Sequence, residues 1–337
     1  MKIALVHRRF TTNGGTERYL VGLARFLVTE GHAVSVLCND VREDLRAEPG
    51  VEFVHLPMWR PAKALSLAWS VRRALGKRSF DAVMGLGRHG GHHLYRAGGG
   101  SHLDYLRRSH ALRRWLSPSD WIDLALDRSA VRSARICIAN SNLGAEGLRD
   151  DYGARRVEVV YNGVDLARFR PDEQVRAAVR SELGAAGNVA VFVGNGFARK
   201  GLDVAIAALP ADWALWVVGG DAPVAAPPRV RFLGSQPQPE RFLQAADVLL
   251  LPTRYDPFAN VCLEAMACGI PALTTSSNGA AEVLPEPWMI CDSAGAYAAA
   301  LTRLTPELGA RCRAVAECFP PERSYRRALA LLLEASS

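Results

Sequence analysis

Short apolar runs alternate with helix-period segments from one end of the chain to the other, and this rhythm limits the fold more than any other feature. Residues 2–6, 33–38, 51–56, 80–84, 135–139 and 157–161 read as strands, and residues 16–29 read as a helix closed by Gly31. After Asp165 the pattern restarts, with strands expected at 189–193, 214–218, 230–233, 248–251 and 272–275 and helices between them. Strands this apolar suit a parallel sheet covered by helices on both faces. Two such runs give an α/β chain of two doubly wound domains. A chain of 337 residues exceeds one ordinary core and suits two domains of roughly 150 residues each. Asn162, Gly163 and the polar stretch to Pro171 mark the boundary. The expected domains are 1–163 and 164–321, with residues 322–337 as a C-terminal helix packing back on the N-terminal domain. Ligands of such sheets bind beyond the carboxyl ends of the strands, and two facing domains would place that crevice between them.

The net charge of +7 favours an anionic partner, and charge alone does not choose among nucleotide phosphates, nucleic acid and an acidic membrane. Seven cysteines without a CxxC pair indicate neither a zinc cluster nor a disulfide framework. Buried reduced thiols in a cytoplasmic protein are the simplest reading. MKIALVHRRF reads as a first strand rather than a signal peptide. No run approaches the roughly 18 apolar residues of a membrane span.

Four segments carry chemistry. In DPFANVCLEAMACGIP, Asp256 to Pro271, a helix is expected to start after Pro257 and stop at Gly269. Its residues are apolar all round, which implies burial, and Glu264 is the only charge in it. A buried carboxylate needs a fixed partner, either ligand hydroxyls or an internal arginine. The N–H groups of Phe258, Ala259, Asn260 and Val261 fall at the start of this helix and form an anion site. In GNGFARKG, Gly194 and Asn195 follow a strand, and Arg199 and Lys200 fall at the start of a helix beginning near Leu202. Cations there oppose the macrodipole, which makes sense if a diphosphate lies between; otherwise they are solvated surface charges. Arg199 also stands at the third glycine position of a dinucleotide fingerprint, so that motif fails.

Asn13-Gly14-Gly15-Thr16-Glu17 follows the first strand. It lets backbone approach a ligand, or it caps the helix. The segment 85–102 is rich in glycine and holds His89, His92, His93 and His102. It reads as a flexible loop offering polar contacts to sugar hydroxyls rather than as a metal cage. Finally, residues 59–78 carry six Lys/Arg and no acid, and 103–115 mix Arg107, Arg108, Arg113 and Arg114 with Leu103, Tyr105, Leu106, Leu112 and Trp115. Such helices lie on anionic lipid or form solvated faces. No recognition motif accompanies them, so nucleic acid is not expected as a partner.

The run AADVLLLPTRYDPFANVCLEAMACGIPALTTSSNGAAEV resembles the C-terminal signature of the family 4 retaining glycosyltransferases, whose GT-B fold sets two Rossmann-like domains around a central cleft. GGTE near the N-terminus, NGVD at Asn162–Asp165 and GNGFARKG are similar to that family and fall in its order. YRAGGGSHLDYL and FARKG look most like the lipopolysaccharide-core glucosyltransferases, which add glucose to an inner-core heptose. The resemblance implies a nucleotide-sugar donor, a UDP-sugar, bound by the C-terminal domain, and a glycan or glycolipid acceptor on the N-terminal side. It matches Glu264 to the second glutamate of the family's E-x7-E motif, on the ribose, and Asp256 to the first, near the donor sugar. Arg199 and Lys200 match the cations on the diphosphate, with Gly194 and Asn195 in the same donor loop. The N–H groups after Pro257 contact sugar or phosphate. Gly14, Gly15 and Glu17 match the loop at donor and acceptor, and His102 lies on the acceptor side. Arg199, Lys200, Asp256 and His102 are the implied catalytic residues.

Two positions depart from the pattern. Asp256 is one methylene shorter than the usual glutamate, and Gly99 stands where related core transferases carry an aspartate. The implied mechanism is retaining transfer with no metal and no cofactor beyond the donor. Lys200, Arg199 and the helix start stabilise the leaving diphosphate, and the departing phosphate takes the acceptor proton. No carboxylate pair suggests a glycosidase mechanism. The implied location is cytoplasmic, peripheral on the inner face of the membrane. A sugar-nucleotide epimerase of shared architecture and an inactive nucleotide-sugar-binding protein are the alternatives, while the failed fingerprints argue against a dehydrogenase.

Overall fold

In the computed structural model, which describes residues 1–12, 14–59, 62–108, 117–220 and 227–337, the apolar runs form two all-parallel sheets. Asn13, Arg60, Leu112, Arg113, Arg114 and Trp115 of the segments above lie outside the described residues. The chain divides into two units, Met1–Tyr161 with Pro321–Ser337, and Asn162–Pro320.

The first unit runs β1 (Lys2–Val6), β2 (Arg9–Phe10), α1 (Gly15–Thr29), β3 (Ala33–Cys38), β4 (Asp40–Val41), β5 (Val51–His55), α2 (Lys63–Lys77), β6 (Ala82–Gly85), β7 (Leu94–Arg96), α3 (His102–Arg108), α4 (Pro118–Ser133), β8 (Ile136–Ala139), α5 (Asn142–Tyr152) and β9 (Val157–Val159). Its seven-stranded sheet has the order β5-β3-β1-β6-β7-β8-β9. The strands β1, β6 and β8 are buried on nearly all positions, as sheets covered on both faces require. Local chemistry sets the helix ends: Ser141 accepts the N–H of Gly144 to start α5, and Gly153, at φ +67°, ends it.

The second unit runs α6 (Glu173–Glu182), β10 (Val189–Val193), α7 (Phe197–Lys200), α8 (Leu202–Ala208), β11 (Ala214–Val218), β12 (Val230–Gly234), α9 (Glu240–Ala245), β13 (Val248–Leu251), α10 (Asn260–Ala267), β14 (Ala272–Thr274), α11 (Ala294–Leu301) and α12 (Pro306–Glu317). Its five-stranded sheet has the order β12-β11-β10-β13-β14. The last helix, α13 (Pro321–Ser336), returns to the first unit, where Ala328, Leu331, Leu332 and Ala335 join the core formed by α1, β1, β3 and β6.

Both sheets reverse direction after their first central strand, between β1 and β6 and between β10 and β13. The carboxyl ends of strands at such a reversal leave a crevice, because the following loops go to opposite faces. Each unit therefore offers one such place.

The segment 85–102 is not the flexible loop expected from its glycines. Leu94–Arg96 pairs between β6 and β8, and His89 and His92 are buried. The tyrosine between leucine and arginine supplies a strand residue that the abundance of glycine obscured.

Candidate functional site

In the second unit, the loops leaving β10 and β13 converge. After Val193 the chain passes Gly194, Asn195 and Gly196 into the single turn α7, which ends in Arg199 and Lys200. After Leu251 it passes Pro252 and Tyr255 to Asp256, and then enters α10. The Lys200 Nζ donates to Asp256 Oδ2 at 2.6 Å. Arg199 Nη1 donates to the same oxygen at 3.1 Å and to the Tyr255 carbonyl at 3.1 Å. The Phe258 N–H donates to Asp256 Oδ1 at 3.1 Å. Burial acts to raise the pKa of Asp256, but Lys200 and Arg199 outweigh it and hold the carboxyl below its usual range. Two cations against one carboxylate leave a net positive charge beside the start of α10, where an anion is favoured.

Two details differ from expectation. Arg199 and Lys200 do not start the helix at Leu202; they close α7, with Gly201 between it and α8. Gly201 sits at φ +75°, and a Cβ there would meet the Pro252 carbonyl oxygen at 2.0 Å. Only glycine permits that turn, so the burial and pairing of Lys200, rather than a helix dipole, define its place. The N–H groups at the start of α10 are also not all open. Phe258 donates to Asp256, and Ala259 donates to Asn278 Oδ1 at 3.1 Å. Short polar side chains reach them because Asp256 and Asn278 meet in an isolated parallel bridge. Asn260 and Val261 supply first-turn N–H groups, which a helix leaves without intrahelical partners. Asn195 Oδ1 accepts from the Gly220 N–H at 2.8 Å, which ties the Gly194 loop to the loop after β11. Glu264 is buried on α10. Its charge reaches Arg168, which donates to Glu240 at 2.8 Å and is held above its usual pKa chiefly by that bond.

In the first unit, a cavity of about 370 Å³ opens at the reversal between β1 and β6. His7 follows β1 and Arg88 follows β6, while Glu17 comes from the first turn of α1. The His7 ring donates from Nδ1 to the Leu86 carbonyl at 3.0 Å, and its Nε2 lies 3.9 Å from Glu17 Oε1. His7 is the main reason the Glu17 carboxyl sits below its usual range. Gly14 caps α1, and a Cβ there would meet the Glu17 carboxylate at 2.2 Å; Gly15 is the first residue of α1. Arg88 donates from Nε to Asp127 at 2.9 Å and lies 3.0 Å from Asp123. Burial pushes the Asp127 carboxyl up despite that cation. Gly99 also lines the cavity, and a Cβ there would meet nothing within 4 Å.

Of the histidines expected to face sugar, His89 borders this cavity but is buried, and His92, His93 and His102 turn elsewhere. His92 Nε2 donates to the Ala130 carbonyl at 2.9 Å and His89 Nε2 to the Val6 carbonyl at 3.3 Å, while His93 Nδ1 accepts the Val83 N–H at 3.2 Å. Burial pushes His89 down to about 3 and His92 down to about 4. The His102 ring donates to Asp120 Oδ1 at 3.0 Å and is absent from the lining of the cavity. Sequence reasoning missed His7, Arg88, Asp123, Asp127 and Asn278. The first two stand just past strand ends, and the two aspartates are four residues apart on one helix, so strand-end position and helical spacing were the available signals. Among the described residues, no group of three or more His, Cys, Asp or Glu is arranged to hold a metal ion.

The description Glycosyltransferase Family 4 fits residues 13–168, and Glycosyl transferases group 1 fits residues 187–306. The chain is a glycosyltransferase that joins a family 4 domain to a group 1 domain. Its relatives include a protein described as a probable transglycosylase from Burkholderia thailandensis, 29% identical over 294 residues, which are 84% of this chain and 80% of that one. A D-inositol 3-phosphate glycosyltransferase of Salinispora tropica is 32% identical over 224 residues, and there the chain spans 46% of the relative's length. Among solved structures, WaaG, a glycosyltransferase involved in lipopolysaccharide biosynthesis, superposes with a TM-score of 0.84 at 20% identity, over 98% of this chain and 99% of that one. HepE of Anabaena, solved with UDP and glucose, gives 0.74 at 20% identity, over 98% and 99%. These glycosyltransferase structures share the GT-B fold of two Rossmann-like domains with this chain.

Proposed function

We propose that this glycosyltransferase moves glucose, or a related hexose, from a UDP-sugar onto a lipopolysaccharide-core or related glycan. Transfer retains the anomeric configuration and needs no metal. The observation that carries the reading is the cluster of Lys200, Arg199 and Asp256 at the carboxyl ends of β10 and β13. An oriented pair of cations beside a helix start stabilises charge as it builds on a leaving diphosphate, which is the effect such a transfer needs most. The HepE complex with UDP and glucose, in the same fold, supports the choice of donor. Glu264 is the candidate for the ribose, and the N–H groups of Asn260 and Val261 for phosphate or sugar oxygens. The acceptor hydroxyl attacks from the face the diphosphate leaves, and a phosphate oxygen takes its proton. Glu17 and His7 line the first unit's cavity as the polar pair available to an acceptor. His102, turned to Asp120, acts at most through its neighbours.

The relatives described as glycosyltransferases favour transfer over epimerisation. One observation bears on an inactive binding protein: Gly99 brings no carboxylate to the cavity, although Glu17, Asp123 and Asp127 do. The test is UDP release and sugar transfer from UDP-glucose to a core oligosaccharide, in chelator, with the product's anomeric proton read by NMR. An α-linked product from wild type and collapse of turnover in Lys200→Ala, with the far-ultraviolet circular dichroism unchanged, are expected. Unchanged turnover in that variant contradicts the reading.

A further inference from the structure

Asn278 follows β14 and is 1% exposed, and both ends of its side-chain amide are engaged. Its Oδ1 accepts the Ala259 N–H and the Ala280 N–H, each at 3.1 Å. Its Nδ2 donates to Thr274 Oγ1 at 2.9 Å and to Cys262 Sγ at 3.4 Å. The Thr274 hydroxyl donates its own proton to the Leu251 carbonyl at 2.7 Å, so its oxygen can only accept from Asn278. That bond fixes which end of the amide is nitrogen and turns the oxygen toward the two N–H groups. The backbone on either side makes a second link. The Asp256 N–H donates to the Ser277 carbonyl at 3.0 Å, and the Gly279 N–H donates to the Asp256 carbonyl at 2.9 Å. One buried side chain and its flanking peptides thus tie together the end of β14, the entry of α10 and the turn that carries Asp256.

We infer that Asn278 is a positioning residue for the donor site: by taking the Ala259 N–H and bracketing Asp256, it sets which N–H groups at the start of α10 face the diphosphate and holds the Asp256 carboxylate against Lys200. Ala259 stands just before α10, so its N–H is one of the donors that a helix leaves without an intrahelical partner. With that donor on Asn278 and the Phe258 N–H on Asp256, the next two, of Asn260 and Val261, are the ones offered to an oxygen from outside. A buried N–H left without an acceptor costs free energy. Without the amide, the entry of α10 shifts until Ala259 finds another acceptor, and the Phe258 N–H leaves Asp256 with it. Displacements on the order of 1 Å in such a site cost about a hundredfold in rate. The inference rests on the donor reading given above and names the residue that shapes that site.

The experiment is calorimetric titration of UDP and of uridine into the full chain, as wild type, Asn278→Ala, Thr274→Val, Lys200→Ala and Asn278→Ala with Lys200→Ala, below the lowest melting midpoint of the set. Thr274→Val removes the acceptor of the amide nitrogen and should melt earlier, but it leaves the amide oxygen on its two N–H groups. Asn278→Ala should weaken UDP about tenfold or more and leave uridine unchanged, with Thr274→Val within about twofold of wild type. In the Lys200→Ala background, the same change should weaken UDP by less than about threefold, because the cation that Asn278 positions is gone. Should Asn278→Ala not fold, Asn278→Ser, whose hydroxyl is one bond shorter than the amide oxygen, carries the same expectations. Asn278→Ala that melts earlier yet loses no more UDP affinity than Thr274→Val overturns the inference. So does an equal loss in both backgrounds, since Asn278 would then act away from Lys200. Lys200→Ala that binds UDP as wild type does overturns the donor reading itself, whereas a loss in Lys200→Ala with none in Asn278→Ala overturns the role of Asn278 alone.

Discussion

Asp256 carries more of the site than its size suggests. One carboxylate accepts from Lys200, Arg199 and the Phe258 N–H, and so fixes both cations and the turn into α10. The missing methylene relative to a glutamate suits that pairing, since the shorter chain holds the carboxylate against Lys200. Sequence reading picked out Lys200 and Arg199 by their charge at an expected helix start, which the structure replaces with the end of α7, and it picked out Asp256 by resemblance alone. It did not find that the anion at hand is Asp256 itself, which follows from the approach of two loops 56 residues apart. Removing one partner of a buried pair leaves an uncompensated charge, so Asp256→Asn should lose about 3–5 kcal/mol in urea unfolding. Saturating UDP should stabilise that variant more than wild type, because its diphosphate replaces the lost charge; equal stabilisation would put UDP elsewhere. The pH dependence has a definite sign. A carboxyl whose folded pKa is depressed contributes stability that is present above about pH 4, its unfolded value, and is lost as pH falls through the folded value. Acid melts of Asp256→Asn should therefore be shallower than those of wild type below about pH 4.

At the scale of elements, glycine and histidine positions decide geometry that propensity cannot. The turn between α7 and α8 depends on Gly201. Gly201→Ala adds a clash with the Pro252 carbonyl to a left-handed conformation, and a destabilisation of about 1–3 kcal/mol with loss of UDP affinity is expected in thermal melts and calorimetry. The histidine segment shows why the loop expectation failed. Single rings were read as surface ligands, whereas the parallel pairing of β7 draws His89 and His92 into the core, where neutral rings donate to carbonyls. Their depressed values also have a consequence. The unfolded chain takes up protons below about pH 6.5 while the folded rings stay neutral down to about 4 for His92 and about 3 for His89. Each ring thus contributes a loss of about 1.4 kcal/mol per pH unit as pH falls from 6.5 toward those values. Melts of His92→Gln should show a weaker dependence across that window; an identical slope would place His92 in solvent.

For the whole molecule, the sequence made the two α/β units legible because near-continuous apolar strands cannot pack any other way. Strand-end residues such as His7 and Arg88 were less legible, since only the sheet order brings the ends of β1 and β6 together. The C-terminal helix shows how distant pairings hide in a linear reading. Leu331 and Leu332 complete a core whose other members, apart from those on α13 itself, all come from the first half of the chain. Leu331→Ala should destabilise the first unit by about 2–5 kcal/mol while leaving UDP binding by the second unit unchanged. A loss of both together would mean the units unfold as one. The central claim is that the diphosphate of the donor sits on Lys200 and Arg199. The direct measurement is calorimetric titration of UDP and of uridine into wild type and Lys200→Ala. Deleting a charge-assisted hydrogen bond from a buried site should weaken UDP by about tenfold to a hundredfold and leave uridine unchanged. Equal UDP affinity in the two proteins would contradict the account.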